Sequence, residues 1–299
     1  MGAAGKPVFP LIASGRAADV IDMDGTGVQE TAGVASRPAE ARGAAMGIVV
    51  LGPFRSGTSL VSQLLAELGV DFGPGEPLLG GDKYNPGGYF ERGDVNHVNG
   101  RLLETAGRTF AEPGAPDTLA READTGVFDE INCTWLGRGG RWGIKDPRMC
   151  ATLLTWIEAG RIRREGLRIV QVKRDTEAVV RSAWRYPGVN HYFGGRIEEI
   201  REGVRRYESL AQWHVDHLGV PTFVLCYEEL LAAPGRTVMQ LGGFIGVDDR
   251  RLIRRAASGV GKRKAHLRRT VRRAHGRVMN LLRRAIGLGM EATRRSHPV

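Results

Sequence analysis

Along the middle of the chain, short apolar runs alternate with stretches whose apolar residues recur every three to four positions. Gly47–Leu51, Trp142–Lys145, Arg168–Lys173 and Thr222–Cys226 read as strands, being short, apolar and rich in β-branched residues. The helical period predicts helices over Gly57–Leu68, Asp175–Tyr186 and Arg196–Leu218. Strand and helix in alternation predict an α/β fold of three layers, a mostly parallel central sheet flanked by helices. Between the first predicted helix and the second predicted strand, Val70–Arg92 is dense in Gly and Pro, and a loop of that length in a compact domain is expected to be functional. Residues 1–44, rich in Gly, Ala and Pro without periodicity, read as a flexible leader, residues 45–258 as the domain, and 259–299 as a tail.

Charge sharpens that division. The chain of 299 residues carries a net +10, yet residues 250–299 hold 16 Lys/Arg and one acidic residue, Glu291, while residues 1–249 sum to −5. A basic pI therefore describes the tail, and reading the whole protein as a nucleic-acid binder would misplace the signal. With 42% hydrophobic and 25% charged residues the chain as a whole is not disordered. The three cysteines, Cys133, Cys150 and Cys226, are scattered and support neither a disulfide framework nor a zinc cage. No apolar run approaches the roughly 20 residues needed to span a bilayer. Lys6, Pro7 and Pro10 make a poor secretory signal, so the expected location is cytoplasmic, with peripheral membrane attachment as a variant.

The strongest local signal is Gly52-Pro53-Phe54-Arg55-Ser56-Gly57-Thr58-Ser59, between a predicted strand and helix. Glycines permit a tight turn and the helix N-terminus aims amides at one point, a phosphate cradle. The spacing is that of a nucleotide P-loop, but Thr58 stands where nucleoside triphosphatases have Lys, and the cation has moved to Arg55. Such a loop holds an anion without demanding a metal. A P-loop kinase, a binding module acting through the basic tail, and a plain Gly-rich turn with a solvated Arg55 are the alternatives.

The segment Pro53-x-Arg55-Ser56-Gly57-Thr58-Ser59 resembles the 5′-phosphosulfate loop of sulfotransferases that use 3′-phosphoadenosine 5′-phosphosulfate (PAPS), and the chain resembles bacterial and Golgi-type members. A second signature of that family, a strand ending in Arg with a Ser eight residues on, is matched by Arg174 and Ser182. Trp142–Arg148 resembles its Lys-Asp-Pro segment, Val224–Leu230 its Tyr-Glu segment, and Asn85–Arg92 a loop over the active site, so the resemblance runs from about Met46 to Gly246.

The resemblance implies a P-loop-type fold and PAPS as donor. It implies that Arg55, Ser56, Gly57, Thr58 and Ser59 hold the 5′-phosphosulfate, Arg174 and Ser182 the 3′-phosphate, and Tyr227 the adenosine. Catalytic roles fall to Arg55 at the leaving oxygen, Lys145 at the sulfuryl oxygens and Glu91 as general base, with His97, Glu76 and Asp82 as other candidates for the base. Glu91 in a loop-ordering ion pair, Lys145 in a salt bridge and Tyr227 in sheet-end packing are the competing structural readings. The acceptor would bear a hydroxyl or amine, on a glycan, lipid or small molecule, and no metal is expected. In the tail, Leu267, Val271, Ala274, Val278, Leu281 and Ala285 recur at helical spacing beside arginines. Residues 262–286 thus suit a docked terminal helix or an anionic membrane surface; nucleic acid is disfavoured because no aromatic platform accompanies the charge.

Overall fold

A computed structural model describes residues 45–73, 78–132, 135–137 and 139–260, all within the compact unit Ala41–Val299. The leader and the basic stretch 262–286 lie outside the described residues. In chain order the elements are β1 (Met46–Leu51), α1 (Thr58–Glu67), α2 (Gly93–Thr105), α3 (Pro116–Glu122), β2 (Arg141–Lys145), α4 (Met149–Glu158), β3 (Leu167–Lys173), α5 (Thr176–Trp184), α6 (Pro187–Asn190), α7 (Ile197–His217), β4 (Thr222–Cys226), α8 (Tyr227–Ala232) and α9 (Pro234–Phe244). A last helix, α10, covers residues 250–260.

The strands form one sheet in the order β2-β1-β3-β4, every pair parallel. All four predicted strands and all three predicted helices are present to within two residues at each end. Alternation along β1 divides the core. Ile48 and Val50 face α1, α9 and α10 through Val61, Leu65, Leu241 and Ile253, while Val49 and Leu51 face α2, α4 and α7 through Val98, Leu153 and Val204. The result is the three-layer α/β architecture expected of the alternation.

β1 lies between β2 and β3, so the chain leaves it toward one side and later returns on the other. In open parallel sheets the crevice outside the carboxyl ends of strands at such a switch point is where ligands bind. The opposite edge is closed differently. Arg141, first residue of β2, donates from Nε to the Ile245 carbonyl (2.7 Å) and from Nη2 to that of Gly246 (2.5 Å), and Arg168 of β3 donates to that of Phe244. Two guanidinium groups thus satisfy carbonyls that the end of α9 leaves open.

Helices α2, α4 and α9 are absent from the periodicity reading for identifiable reasons. α4 (Met149–Glu158) is apolar on all sides because it is buried almost throughout, so it shows no polar face. α2 is instead fixed by a buried polar clasp: Asn99 Oδ1 accepts from Thr152 Oγ1 and Trp156 Nε1 of α4, both at 2.8 Å. α9 contains Gly242 and Gly243, which carry little helical signal.

His214 of α7 is wholly buried, with its ring against the backbone of Cys150. Burial lowers its pKa to about 3. The folded protein therefore holds a neutral imidazole, while the unfolded chain takes up a proton as pH falls through about 6.5. This contribution is fully present above that pH and is lost progressively between pH 6.5 and 3. Urea unfolding at pH 7 and pH 5 is expected to show a loss of about 2 kcal/mol, and His214→Phe should remove most of that difference.

Candidate active site

The chain leaves β1 through Gly52 and re-enters helix at Thr58. Gly52 has φ 153°, and a Cβ there would lie 2.8 Å from the Val172 carbonyl oxygen; its amide donates to Cys150 Sγ (3.3 Å). Burial pushes that thiol up to about 12, so it serves as a neutral acceptor beneath the loop. Phe54 anchors the turn, its ring 5.5, 5.4 and 5.3 Å from those of Phe110, Phe193 and Tyr207. Arg55 adopts φ 65°, a left-handed conformation that a long side chain takes only where its surroundings impose it. No side chain caps α1 at Gly57, so the amides of Thr58 and Ser59 that open the helix are available to an anion, and the buried Ser56 hydroxyl has no hydrogen-bond partner among the described residues.

Arg55 is held on three sides. Its Nε donates to Ser182 Oγ (3.3 Å), its Nη2 to the Tyr84 carbonyl (3.0 Å), and its guanidinium lies 4.8 Å from the centre of the Tyr186 ring. Arg174, just beyond β3, donates from Nη1 to the Arg55 carbonyl (3.0 Å) and lies 4.4 Å from the centre of the Tyr227 ring, while its buried Nε has no partner. Tyr227 in turn fills the space above Gly57, whose φ is 104° and whose added Cβ would overlap the ring edge, 2.3 Å from Tyr227 Cδ2. Asp175 caps α5 by accepting from the Ala178 amide (2.8 Å), which sets Ser182 two turns into that helix and facing the cradle.

The second cation comes from the end of β2. Lys145 forms a buried ion pair with Glu91 and donates to the Tyr89 carbonyl (3.2 Å) and Ser59 Oγ (3.5 Å). Burial raises the Glu91 carboxyl above the ordinary carboxylate range, with Lys145 opposing the shift and Asp146 adding to it. Asp146 is itself buried and accepts from the Arg148 amide (2.7 Å) and from Asn96 Nδ2 (3.1 Å) of α2. Arg148 packs over the Phe110 ring at 5.1 Å.

Residues 78–92 form a strap across this group. Leu79 N donates to the Glu91 carbonyl (2.7 Å) and Tyr89 N to the Leu79 carbonyl (3.1 Å). Asp82 accepts from the amides of Tyr84 (2.8 Å) and Asn85 (2.7 Å) and from the Tyr89 hydroxyl (2.9 Å), and these bonds hold its carboxyl below the usual range against the effect of burial. The rings of Tyr84 and Tyr89 pack on Tyr186 at 5.2 and 6.1 Å.

All ten residues singled out in the sequence therefore fall into one connected group: Arg55, Ser56, Gly57, Thr58 and Ser59 in the cradle, Arg174, Ser182 and Tyr227 beside it, and Lys145 paired with Glu91 at the end of the strap. Of the other base candidates, Asp82 is engaged in bracing the strap and His97 pairs with Glu130 at the surface (2.7 Å). Glu76 lies outside the described residues. Tyr84, Tyr186, Asn96 and Cys150 escaped the sequence reading. Tyr84 lies in the loop Val70–Arg92 expected to be functional, Tyr186 ends the predicted helix that carries Ser182, and Cys150 is one of the scattered cysteines, but no motif marks any of them.

No family model matches the chain, and no curated protein matches it. Solved structures similar to it include the following two. The sulfotransferase domain from the Synechococcus PCC 7002 olefin synthase is 17% identical, over 73% of this chain and 78% of that one, with a TM-score of 0.39. Sulfotransferase STF1 from Mycobacterium tuberculosis H37Rv is 15% identical, over 73% of this chain and 72% of that one, with a TM-score of 0.38. Both are sulfotransferases.

The contact between Gly57 and Tyr227 can be measured directly. Gly57→Ala combines left-handed backbone strain of about 1–2 kcal/mol with an overlap of about 1–3 kcal/mol, and urea unfolding should report their sum. Tyr227→Ala in the same chain should recover about 1 kcal/mol or more through the coupling of a double-mutant cycle. Additive effects would show that ring and glycine do not touch.

Proposed function

We propose that this chain is a sulfotransferase that moves a sulfuryl group from PAPS to an acceptor hydroxyl or amine. The observation that carries the reading is a pair of unsatisfied polar atoms flanking the Arg55 backbone. Ser56 Oγ and Arg174 Nε are both buried without partners among the described residues. A buried polar atom left unpaired costs about 1–3 kcal/mol, so a cradle carrying two is built for a ligand that supplies acceptors. Phosphate oxygens suit both atoms, and Arg174 can present a planar fork to them.

When bound, the donor would supply an activated sulfuryl group on a phosphate leaving group. What the chain does is position and neutralise charge. Ser56, Thr58, Ser59 and the amides opening α1 would hold the 5′-phosphosulfate, and Arg55 would meet the charge that develops on the leaving oxygen. Arg174 with Ser182 would hold the 3′-phosphate, and Tyr227 the adenosine. Lys145 would face the sulfuryl oxygens. Its pairing with Glu91 orients a carboxylate whose raised proton affinity suits acceptance of the acceptor's proton. Because Arg55 and Lys145 supply the positive charge, the reading requires no metal, and added magnesium should leave turnover unchanged, unlike that of a kinase.

Calorimetric titration tests the nucleotide assignment without knowledge of the acceptor. 3′-Phosphoadenosine 5′-phosphate is expected to bind at least about tenfold more tightly than AMP, since charge-assisted bonds to the 3′-phosphate contribute about 1.5–3 kcal/mol each. Arg174→Ala should abolish the preference; equal affinities in the unaltered protein would refute the reading. For turnover, Arg55→Ala is expected to lower kcat about 100- to 1,000-fold with little change in affinity for the product nucleotide. Near-normal turnover would return Arg55 to a solvated loop cation.

A further inference from the structure

We propose that the sheet edge opposite the candidate active site is a docking surface for an anionic lipid bilayer, built on α10 and the loop entering β3. Arg141 and Arg168 tie the end of α9 to the amino-terminal edge of the sheet, which fixes the start of α10 at that edge. Gly259, near its far end, faces the Glu67 carboxylate at the end of α1, 3.6 Å from where a Cβ would stand. α10 therefore runs along this edge, away from the cradle at the carboxyl ends of the strands.

The helix is divided sharply. At about 100° per residue, Ile253, Ala256, Ala257 and Val260 share an arc, and all four are buried against the layer of α1 and α9. Arg251, Arg254 and Arg255 occupy the opposite arc, Arg250 lies at the margin between the two, and all four are exposed. Arg163 and Arg164, exposed in the loop before β3, add to the same edge. Among the described residues no carboxylate pairs with any of these six arginines. Asp249 is occupied in capping α10, accepting from the amides of Arg251 (2.7 Å) and Leu252 (3.1 Å).

These six arginines outnumber the carboxylates that adjoin them in the chain, Glu165, Asp248 and Asp249, so this edge carries net positive charge in a chain whose first 249 residues sum to −5. Each cation near an anionic leaflet contributes about 1 kcal/mol. A bilayer fits better than nucleic acid. Among the described residues no aromatic side chain of α10 accompanies its arginines to stack a base, and Arg164 also lines a cleft of about 310 Å³ with Leu167, Val220 and Pro221. Docked this way, the cradle faces away from the bilayer, and the acceptor of the proposed reaction arrives from the aqueous side.

The test uses the full chain and sedimentation with vesicles of phosphatidylcholine containing phosphatidylserine, against phosphatidylcholine alone. Binding is expected only with phosphatidylserine and should weaken steeply with salt. Joint substitution of Arg250, Arg251, Arg254 and Arg255 by Gln should weaken it about tenfold or more, while the same positions changed to Lys retain it; thermal melting confirms that both variants fold. Unchanged vesicle binding in the Gln variant, or binding abolished only by changing Arg268, Arg269, Arg272 and Arg273, would overturn the proposal, as would preference for single-stranded RNA over vesicles. Hydrogen exchange with vesicles present should slow over residues 161–168 and 250–260 and stay unchanged over 82–91; protection of the strap instead would reverse the orientation. None of these readouts depends on nucleotide binding, so they stand or fall apart from the sulfotransferase reading.

Discussion

Three cations, Arg55, Lys145 and Arg174, are gathered at the carboxyl ends of three adjacent parallel strands, and much of the surrounding structure exists to make that concentration of charge tolerable. Only Lys145 has a carboxylate partner in the group. Arg55 and Arg174 are held by backbone carbonyls and by the faces of Tyr186 and Tyr227, partners that position a guanidinium without cancelling its charge. A site held in this way keeps its attraction for an anion, whereas full pairing with carboxylates would remove it.

The same constraint explains the strap. Its internal bonds, centred on Asp82, make it a self-supporting hairpin whose outward-facing carbonyls at Tyr84 and Tyr89 meet Arg55 and Lys145. Because the main chain supplies these contacts, they depend on the shape of the segment more than on its side chains. An anion in the cradle would draw on the same two cations, so the strap and a bound ligand share partners. The buried pair of Lys145 and Glu91 joins the two halves: the lysine comes from the sheet, the carboxylate from the end of the strap where α2 begins.

Beneath the site, polar groups are placed to similar effect. Cys150 takes the amide of Gly52 as a neutral thiol, and Asp146 accepts from Arg148 and Asn96, which fixes the turn after Lys145. His214 is buried next to the backbone of Cys150. Its cost is bearable near neutral pH, where the imidazole is uncharged, and grows only in acid.

The sheet and the cradle are legible in the chain itself. A short apolar run has one comfortable conformation when helices cover both its faces, and glycines at positions 52 and 57 declare a turn that no other residue accepts, which is why β1, the loop and α1 emerge from spacing alone. Arg174 and Ser182 are legible for a related reason, since a strand end and a capped helix fix their separation locally. Contacts between distant segments come only from the folded chain: that Tyr227 fills the space over Gly57, that Tyr84 and Tyr186 hold Arg55, that Glu91 meets Lys145 while His97 turns to the surface. Folding also decides the helices whose pattern is silent, because α4 is buried on every side and so has no polar stripe to announce it. Local geometry is written in neighbouring residues, but the partner of a buried charge is chosen by packing, and packing has no period along the chain.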